Sequence, residues 1–284
     1  MLVVAVIAPG AMGAAVGQVL ASHGAEVRTL LAGRSPASAA RASAAGMKAA
    51  DLAEIAEADI VLSIVPPGDA LSLAERLAPA LRQASGSRQN RPGLIYADCN
   101  AISPQTAQQV GMVVAGAGAG FVDAGIIGGP PQPGRPGPVF YASGPDAPRL
   151  AVLAQHGLDV RVLDGPVGAA SGLKMSYAGI TKGLTALGAA MMLAATRFGA
   201  AADLRAELAD SQPELLAWLG KAVPGMYPKA YRWVAEMQEI AAFAGEDAAT
   251  QEIYGGIAAL YERLARDQAG PQRETGALDD FLRA

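Results

Sequence analysis

The sequence predicts an α/β protein in which a mainly parallel sheet, covered by helices on both faces, is followed by an all-α domain. Two observations carry this prediction. Short apolar, β-branched segments alternate with segments of helical spacing up to residue 164, an order typical of parallel sheets. From residue 165 onward, long segments rich in Ala, Leu and Met contain no strand candidate. We therefore expect a sheet domain over residues 1–164 and a helical domain over residues 165–284.

The elements follow in a regular order along the first domain. Residues 2–8 form a continuous apolar run, typical of a strand buried on both faces, and residues 11–22 follow at helical spacing. Residues 128–138 hold four glycines and five prolines, so we predict a loop there. This loop is either a surface connection or a segment that faces the substrate. The other predicted strands are residues 25–31, 58–65, 93–99, 121–127, 138–143 and 158–163.

Composition excludes several classes of function. The formal net charge is −4 and no basic run is interleaved with aromatic residues, which argues against a nucleic-acid partner. The single cysteine, Cys99, fits a reducing compartment, and we expect a cytoplasmic protein. No Lys or Arg precedes Arg28, which argues against a signal peptide, and the apolar run 183–196 is too short to cross a membrane. His23 and His156 stand alone, so no metal site is expected.

A glycine motif follows the first predicted strand and opens the first helix. In "VIAPGAMG", Gly10 and Gly13 occupy the second and third glycine positions of a dinucleotide fingerprint, whereas Ala8 replaces the first. Without side chains at these positions, a pyrophosphate can approach the helix N-terminus. The alternative interpretation of the motif is a tight turn that binds no ligand. The motif therefore predicts a Rossmann-type domain. The expected cofactor contacts here are Ala8, Pro9, Gly10, Ala11, Met12 and Gly13, with Val65 and Pro66 at the end of the strand 58–65.

The end of the second predicted strand indicates which dinucleotide binds. NAD-binding folds place an acidic residue there for the ribose 2′-hydroxyl, but this chain reads "LLAGRSP". The guanidinium of Arg34 and the hydroxyl of Ser35 suit the 2′-phosphate of NADP. The alternative is a solvated arginine that precedes a helix-capping serine. We expect NADP, with NAD the less favoured cofactor.

Lys174 is one of two charged residues between residues 165 and 196. In a helix it shares one face with Tyr177, Thr181, Lys182 and Thr185, which suits the inner wall of a cleft. An ammonium that loses its water has a lowered pKa, and a lysine tuned in this way can take up a proton. The alternative is a lysine whose ammonium reaches solvent from a helix surface.

Several segments, in the same order, resemble the β-hydroxyacid dehydrogenase family, which includes 3-hydroxyisobutyrate and 6-phosphogluconate dehydrogenases. The resemblance spans most of residues 1–185. The segments are "IAPGAMG" (7–13), similar to the family's glycine motif; "DCNAISP" (98–104), similar to the segment near the nicotinamide; "DAGIIGG" (123–129), similar to the substrate-binding motif; and "GAASGLKMSYAG" (168–179), similar to the segment that carries the catalytic lysine.

The resemblance implies roles for individual residues. Lys174 would be the catalytic acid/base, and Asn100 would lie near both nicotinamide and substrate. Ile127, Gly128 and Gly129 would contact the substrate, with Ile127 in the place of the family's serine. Tyr177 stands near the position of the family's asparagine and would also contact the substrate.

The C-terminal part, "AYRWVAEMQEIA" (230–241) above all, resembles a bacterial subgroup with a short helical domain. The family's Lys-Asp pair has Glu236 and Glu239 as its counterpart here. A homodimer formed through the helical domain is also expected from the resemblance.

Together, these expectations predict an NADP-dependent oxidoreductase that interconverts a small 3-hydroxy acid and its carbonyl form. An imine reductase is the first alternative, because that related group shares the glycine motif and a segment similar to "GIIGGPPQPG". Its members generally place Asp or Tyr where this chain has Lys174. A non-catalytic NADP-binding protein is the second alternative.

Overall fold

The computed structural model describes residues 1–87, 93–132 and 134–283. Within it the chain forms two compact units, Met1–Lys174 and Met175–Ala284, and the division falls within one long helix. The first unit is built on a mainly parallel sheet, and the described part of the second is helical, which confirms the predicted fold class. Pro133, in the predicted loop 128–138, lies outside the described residues.

The sheet of the first unit has eight strands in the order β3-β2-β1-β4-β5-β6-β7-β8. Neighbouring strands are parallel except β6 and β7, which are antiparallel. Because the strand order reverses between β1 and β4, their carboxyl ends form the crevice in which doubly wound sheets bind ligands. The strands are β1 (Val3–Ile7), β2 (Glu26–Leu30), β3 (Lys48–Ala50), β4 (Ile60–Ser63), β5 (Ile95–Asp98), β6 (Gly120–Ile127), β7 (Val139–Ser143) and β8 (Asp159–Val162).

Two apolar cores cover the two faces of this sheet. Along β1, Val4 and Val6 belong to one core, and Ala5 and Ile7 belong to the other. The strand is therefore buried on both faces, which explains its unbroken apolar sequence. The helices of this unit are α1 (Ala11–Ser22), α2 (Pro36–Ala44), α3 (Leu52–Ala56), α4 (Ala70–Ser87), α5 (Pro104–Ala115) and the start of α6 (Ala169–Arg197), with 3₁₀ segments at Pro67–Asp69 and Ala147–His156.

The sequence analysis missed β3. This edge strand has three residues and reads Lys-Ala-Ala, with its first two residues exposed, so it carries no alternating or β-branched signal. The antiparallel pairing of β7 follows from the short link 128–138. A parallel neighbour would need a longer crossover connection.

The second unit consists of helices packed through apolar and aromatic side chains. Trp233 and Tyr261 meet edge to face with ring centroids 5.3 Å apart. The Tyr261 hydroxyl donates a hydrogen bond to the Lys182 carbonyl. With the remainder of α6, its helices are α7 (Ala201–Ser211), α8 (Pro213–Met226), α9 (Ala230–Phe243), α10 (Ala248–Ala269) and α11 (Arg273–Arg283), with a 3₁₀ turn at Tyr227–Lys229.

Helix α6 extends well beyond the apolar run 183–196. It has 29 residues, and by length and composition it passes the test for a membrane span. Of its most apolar window, 39% is buried within the protein, and a core helix of a soluble protein passes the same test.

Candidate active site

The glycine-rich turn after β1 is built around the carbonyl of Ala8. This oxygen accepts a hydrogen bond from the Gly10 amide at 2.9 Å. A Cβ at Gly13 would lie 2.0 Å from the same oxygen, so glycine alone fits there. Ala8, in the place of the fingerprint's first glycine, does not adopt a positive φ. The backbone therefore accommodates this departure from the motif.

The N-terminus of α1 is open toward the crevice between β1 and β4. Gly10 is its N-cap residue, no side chain caps the first turn, and that turn holds no acidic residue. A Cβ at Gly10 would meet nothing within 4 Å. Backbone N–H groups at such a helix start attract a pyrophosphate. Across the crevice, the backbone after β4 is fixed by the Val65 amide, which donates to Asn100 Oδ1 at 2.6 Å, and the exposed Pro66 follows.

Arginine and serine side chains lie together at the end of β2. Arg34 is exposed there, and Ser35 caps α2 by accepting a hydrogen bond from the Ser38 amide. Arg41, which the sequence analysis missed, donates through Nε to the Pro9 carbonyl at 3.2 Å and through a terminal nitrogen to Ser38 Oγ at 2.9 Å. Arg41 thus connects the glycine-rich turn to the β2–α2 loop. The sequence could have indicated this contact, because Arg41 lies one helical turn after Ser38 and side chains three positions apart are neighbours on a helix.

An open groove of about 610 Å³ lies beside the end of β2. It is lined by residues 30–32 and 49–54, and two of these residues are acidic. Their carboxylates are engaged at the start of α3, where Asp51 accepts from the Glu54 amide and Glu54 accepts from the Asp51 amide. These acids therefore serve as a capping box.

A row of buried polar side chains crosses four adjacent strands, at the last residues of β4, β5 and β7 and in the middle of β6. Ser63 of β4 is in register with Asp98 of β5, Asp98 with Asp123 of β6, and Asp123 with Ser143 of β7. All four are at most 1% exposed. Two carboxyl groups thus lie side by side on neighbouring strands, one strand spacing apart.

Asn100 forms hydrogen bonds with Ser63 and Asp98, the two residues at one end of this row. Its side-chain nitrogen donates to Ser63 Oγ at 2.8 Å and to Asp98 Oδ2 at 2.9 Å, and its backbone amide donates to Asp98 Oδ1 at 3.0 Å. Since its amide oxygen accepts from Val65, every group of this buried side chain has a partner in the protein. Asn100 therefore orders the loops after β4 and β5.

Asp123 anchors the beginning of α6. Its carboxylate accepts hydrogen bonds from the Gly168 amide at 2.9 Å and from the Ser171 amide and hydroxyl at 3.0 and 2.6 Å. Ser143 Oγ is a fourth donor at 3.0 Å. An acidic group at a helix N-terminus also interacts favourably with the helix dipole. These bonds fix the helical turn from which Lys174 projects.

Lys174 lies over β6. A Cβ added to Gly125 would be 3.2 Å from Lys174 Cβ and 2.9 Å from the Ala170 carbonyl, so the absence of a side chain lets α6 approach the strand. Burial lowers the pKa of Lys174, and the proximity of Cys99, Asp98 and Asp123 opposes this shift. The lysine is therefore biased toward the neutral amine that a general base requires.

Burial also changes the neighbouring groups. It raises the pKa of Asp98 to about 7, with Asp123 adding to the shift and Lys174 and the Asn100 hydrogen bonds opposing it. The pKa of the Cys99 thiol is likewise raised by burial, so this side chain remains a neutral thiol. The partly buried Lys174 and the fully buried Asp98 are thus two groups with perturbed proton affinity in one cluster, an arrangement common at functional sites.

The remaining predicted substrate residues fall in different places. Ile127 ends β6, and Gly128 and Gly129 follow it as exposed backbone. Gly128 has a φ of 121°, and a Cβ there would lie 3.0 Å from Pro138. Tyr177 belongs to the second unit and is 52% exposed.

The polar face predicted along α6 is not one continuous surface. The hydroxyls of Thr181 and Thr185 donate to carbonyls one turn earlier in the same helix. Lys182 forms an ion pair with Glu236 and lies 5.0 Å from the centre of the Trp233 ring. Lys182, paired with Glu236, and the buried Thr185 are thus engaged within the second unit.

Two family descriptions match the sequence. Residues 3–154 match the NAD binding domain of 6-phosphogluconate dehydrogenase, and residues 195–264 match a domain of unknown function, DUF1932. The first match covers more than half of the 284 residues.

Several solved structures have a similar fold, among them the following three. A conserved protein of unknown function, described as structurally similar to 3-hydroxyacid dehydrogenases, is 29% identical, covering 94% of this chain and 99% of its own, with a TM-score of 0.75. The 3-hydroxyisobutyrate dehydrogenase of Mycobacterium tuberculosis, solved with L-serine, is 21% identical over both full chains, with a TM-score of 0.72. An imine reductase of Myxococcus stipitatus in complex with NADP⁺ is 18% identical, covering 99% of this chain and 100% of its own, with a TM-score of 0.55.

Proposed function

Since the chain belongs to the β-hydroxyacid dehydrogenase family through its NAD binding domain of the 6-phosphogluconate dehydrogenase type, we propose that it interconverts a small 3-hydroxy acid and its carbonyl form, with NADP as cofactor and Lys174 as acid/base. One observation carries this proposal. Lys174 is held over β6 by the Asp123-anchored start of α6, and burial lowers its pKa. In the oxidation direction, Lys174 Nζ takes the proton of the substrate hydroxyl; in reduction it returns that proton to the carbonyl oxygen.

The residues around the crevice fit a dinucleotide. The turn at Gly10 and Gly13 leaves the N-terminus of α1 without a capping side chain, which suits a pyrophosphate. Val65 and Pro66 lie on the other side of the strand-order reversal. NADP, when bound, supplies the hydride acceptor and donor.

The β2–α2 loop supports a preference for NADP. Arg41 donates to the Ser38 hydroxyl, which lies 3.2 Å from the Ser35 hydroxyl, and the exposed Arg34 directly precedes Ser35; a 2′-phosphate here would accept charge-assisted hydrogen bonds. The two acids of the nearby groove are engaged in the α3 cap.

We expect Arg34→Ala to weaken NADPH binding about 10–100-fold, the effect of one charge-assisted contact, and to change NADH binding little. Arg41→Ala should weaken the binding of both cofactors, and of NADPH more, because Arg41 also holds the glycine-rich turn through Pro9. Fluorescence titration with both cofactors measures this. Arg161→Ala, which removes an exposed arginine paired with Asp159, is the control. Equal losses for both cofactors in Arg34→Ala would exclude a 2′-phosphate role for Arg34.

Substrate screening tests the reaction itself. The purified protein is assayed at the nicotinamide absorbance with short 3-hydroxy acids, their semialdehydes and cyclic imines. Gly128 and Gly129 offer backbone N–H groups to a carboxylate, while Ile127 provides an apolar contact. We expect turnover with hydroxy acids or semialdehydes.

An imine reductase is the second candidate, because Ile127 and the half-exposed Tyr177 leave fewer polar groups for a carboxylate. Turnover of cyclic imines alone in the same screen would favour it. Tight NADPH binding without turnover of any compound would instead favour the non-catalytic alternative. The proposed setting is the cytoplasm, in keeping with one buried free cysteine.

We also propose that the protein forms a homodimer through α6. An exposed apolar stripe runs along this helix in steps of three and four residues, the spacing of a helix-pairing seam. It holds no charged residue. The stripe consists of Tyr177, Ile180, Leu184, Leu187 and Met191, which are 39–68% exposed. A two-fold axis would pair this stripe with the same stripe of a second copy.

Leu187→Glu is expected to convert the dimer to a monomer, because it places charges at the centre of the seam. Light scattering after size-exclusion chromatography gives the mass. Met112→Glu changes an exposed apolar side chain of α5 and should remain dimeric. A monomeric parent protein at micromolar concentration would contradict this proposal.

A further inference from the structure

The buried row across β4–β7 contains one carboxyl group that the proposed function does not use. Asp98 is 1% exposed and lies in register beside Asp123. We propose that Asp98 is a positioning residue for the proton on Lys174, its buried carboxylate stabilising the ammonium formed when the lysine takes the substrate's hydroxyl proton. The inference rests on the proposed function of Lys174.

The hydrogen bonds distinguish Asp98 from Asp123. Asp123 accepts four, including two from backbone amides at the start of α6, so its charge is already compensated. Asp98 accepts two, both from the uncharged Asn100. A buried carboxylate with few donors gains more from a nearby cation. Lys174 becomes that cation when it takes up a proton, and it lies over Gly125, two residues from Asp123 on the same face of β6.

Among the described residues, the charged groups that act on Lys174 are the carboxyls of Asp98 and Asp123. β5 contributes Asp98 and Cys99, and β6 contributes Asp123. Burial raises the pKa values of Cys99 and of Tyr96, the other ionisable group beside Asp98, so both remain neutral.

The arrangement makes the Lys174 site sensitive to pH near neutrality. Burial raises the pKa of Asp98 to about 7, so this carboxyl is charged above that pH and neutral below it. Its charge favours the ammonium form of Lys174. The two groups therefore titrate as a coupled pair.

Asp98→Asn tests the inference, because it removes the charge and keeps the shape of the side chain. The matched control is Ser63→Ala, which removes another partner of the Asn100 amide without changing any charge. The reactivity of Lys174 toward trace acetic anhydride is followed against pH by peptide mass spectrometry, without substrate or cofactor. In Asp98→Asn we expect the midpoint of Lys174 to shift to lower pH by about one pH unit, and in Ser63→Ala no shift.

The outcomes separate this inference from the proposed function. No shift in Asp98→Asn, or an equal shift in both variants, overturns the inference whatever the activity. If Asp98→Asn does not fold, the parent protein decides: its Lys174 labelling curve departs from a one-proton titration near pH 7 if the inference is right, and follows one if it is wrong. A shift as expected, together with no turnover of any hydroxy acid, supports the charge pairing and rejects the proposed function.

Discussion

Lys174→Met is expected to lower turnover by about three to four powers of ten while NADPH affinity changes little. The reason is that methionine retains the apolar stem but cannot take or return the proton in the transition state. Steady-state kinetics in both directions and a cofactor titration measure the two effects. Lys48→Met, at a 69% exposed lysine paired with Glu26, is the control and should retain activity. Loss of cofactor binding in parallel with turnover would contradict an acid/base role.

The pH dependence has an expected sign. Oxidation requires the neutral amine, so kcat/KM for a hydroxy acid rises with pH and levels off above the pKa of Lys174, which burial holds below its ordinary value of 10.5. Reduction requires the ammonium and falls over the same range. Because a lysine with a lowered pKa binds fewer protons in the folded state, it destabilises the fold below its ordinary pKa. Lys174→Met should therefore be at least as stable as the parent protein at pH 7.

Asp123→Ala is expected to lower the free energy of unfolding by about 3–5 kcal/mol, because it leaves buried donors of Ser143 and of the α6 start without an acceptor. Urea unfolding followed by far-ultraviolet circular dichroism measures this change. Tryptophan fluorescence is less suitable, because Trp218 and Trp233 both lie in the second unit.

Asp159→Ala is the matched control for Asp123→Ala. It breaks an exposed ion pair with Arg161 and should change stability by less than about 1 kcal/mol. Similar stability of the two variants would show that the hydrogen bonds of Asp123 do not hold the start of α6.

The sequence by itself determined the fold class and the location of the crevice. Apolar runs such as that of β1 predict strands buried on both faces, which are typical of a parallel sheet. A glycine motif between a strand and a helix predicts the turn at Gly10 and Gly13. These signals are local, because they depend on the conformation of a few consecutive residues. The short strand β3 lacked such a signal and was missed.

Only the tertiary structure decided which polar groups meet. Ser63, Asp98, Asp123 and Ser143 lie on four strands far apart in sequence, and strand register alone places them in one row. In the same way, Arg41 contacts Pro9 across 32 positions. Thr181, Lys182 and Thr185 share one helical face, and only the structure shows that Lys182 pairs with Glu236 and that Thr185 is buried, because helical periodicity shows that residues share a face but not what covers it.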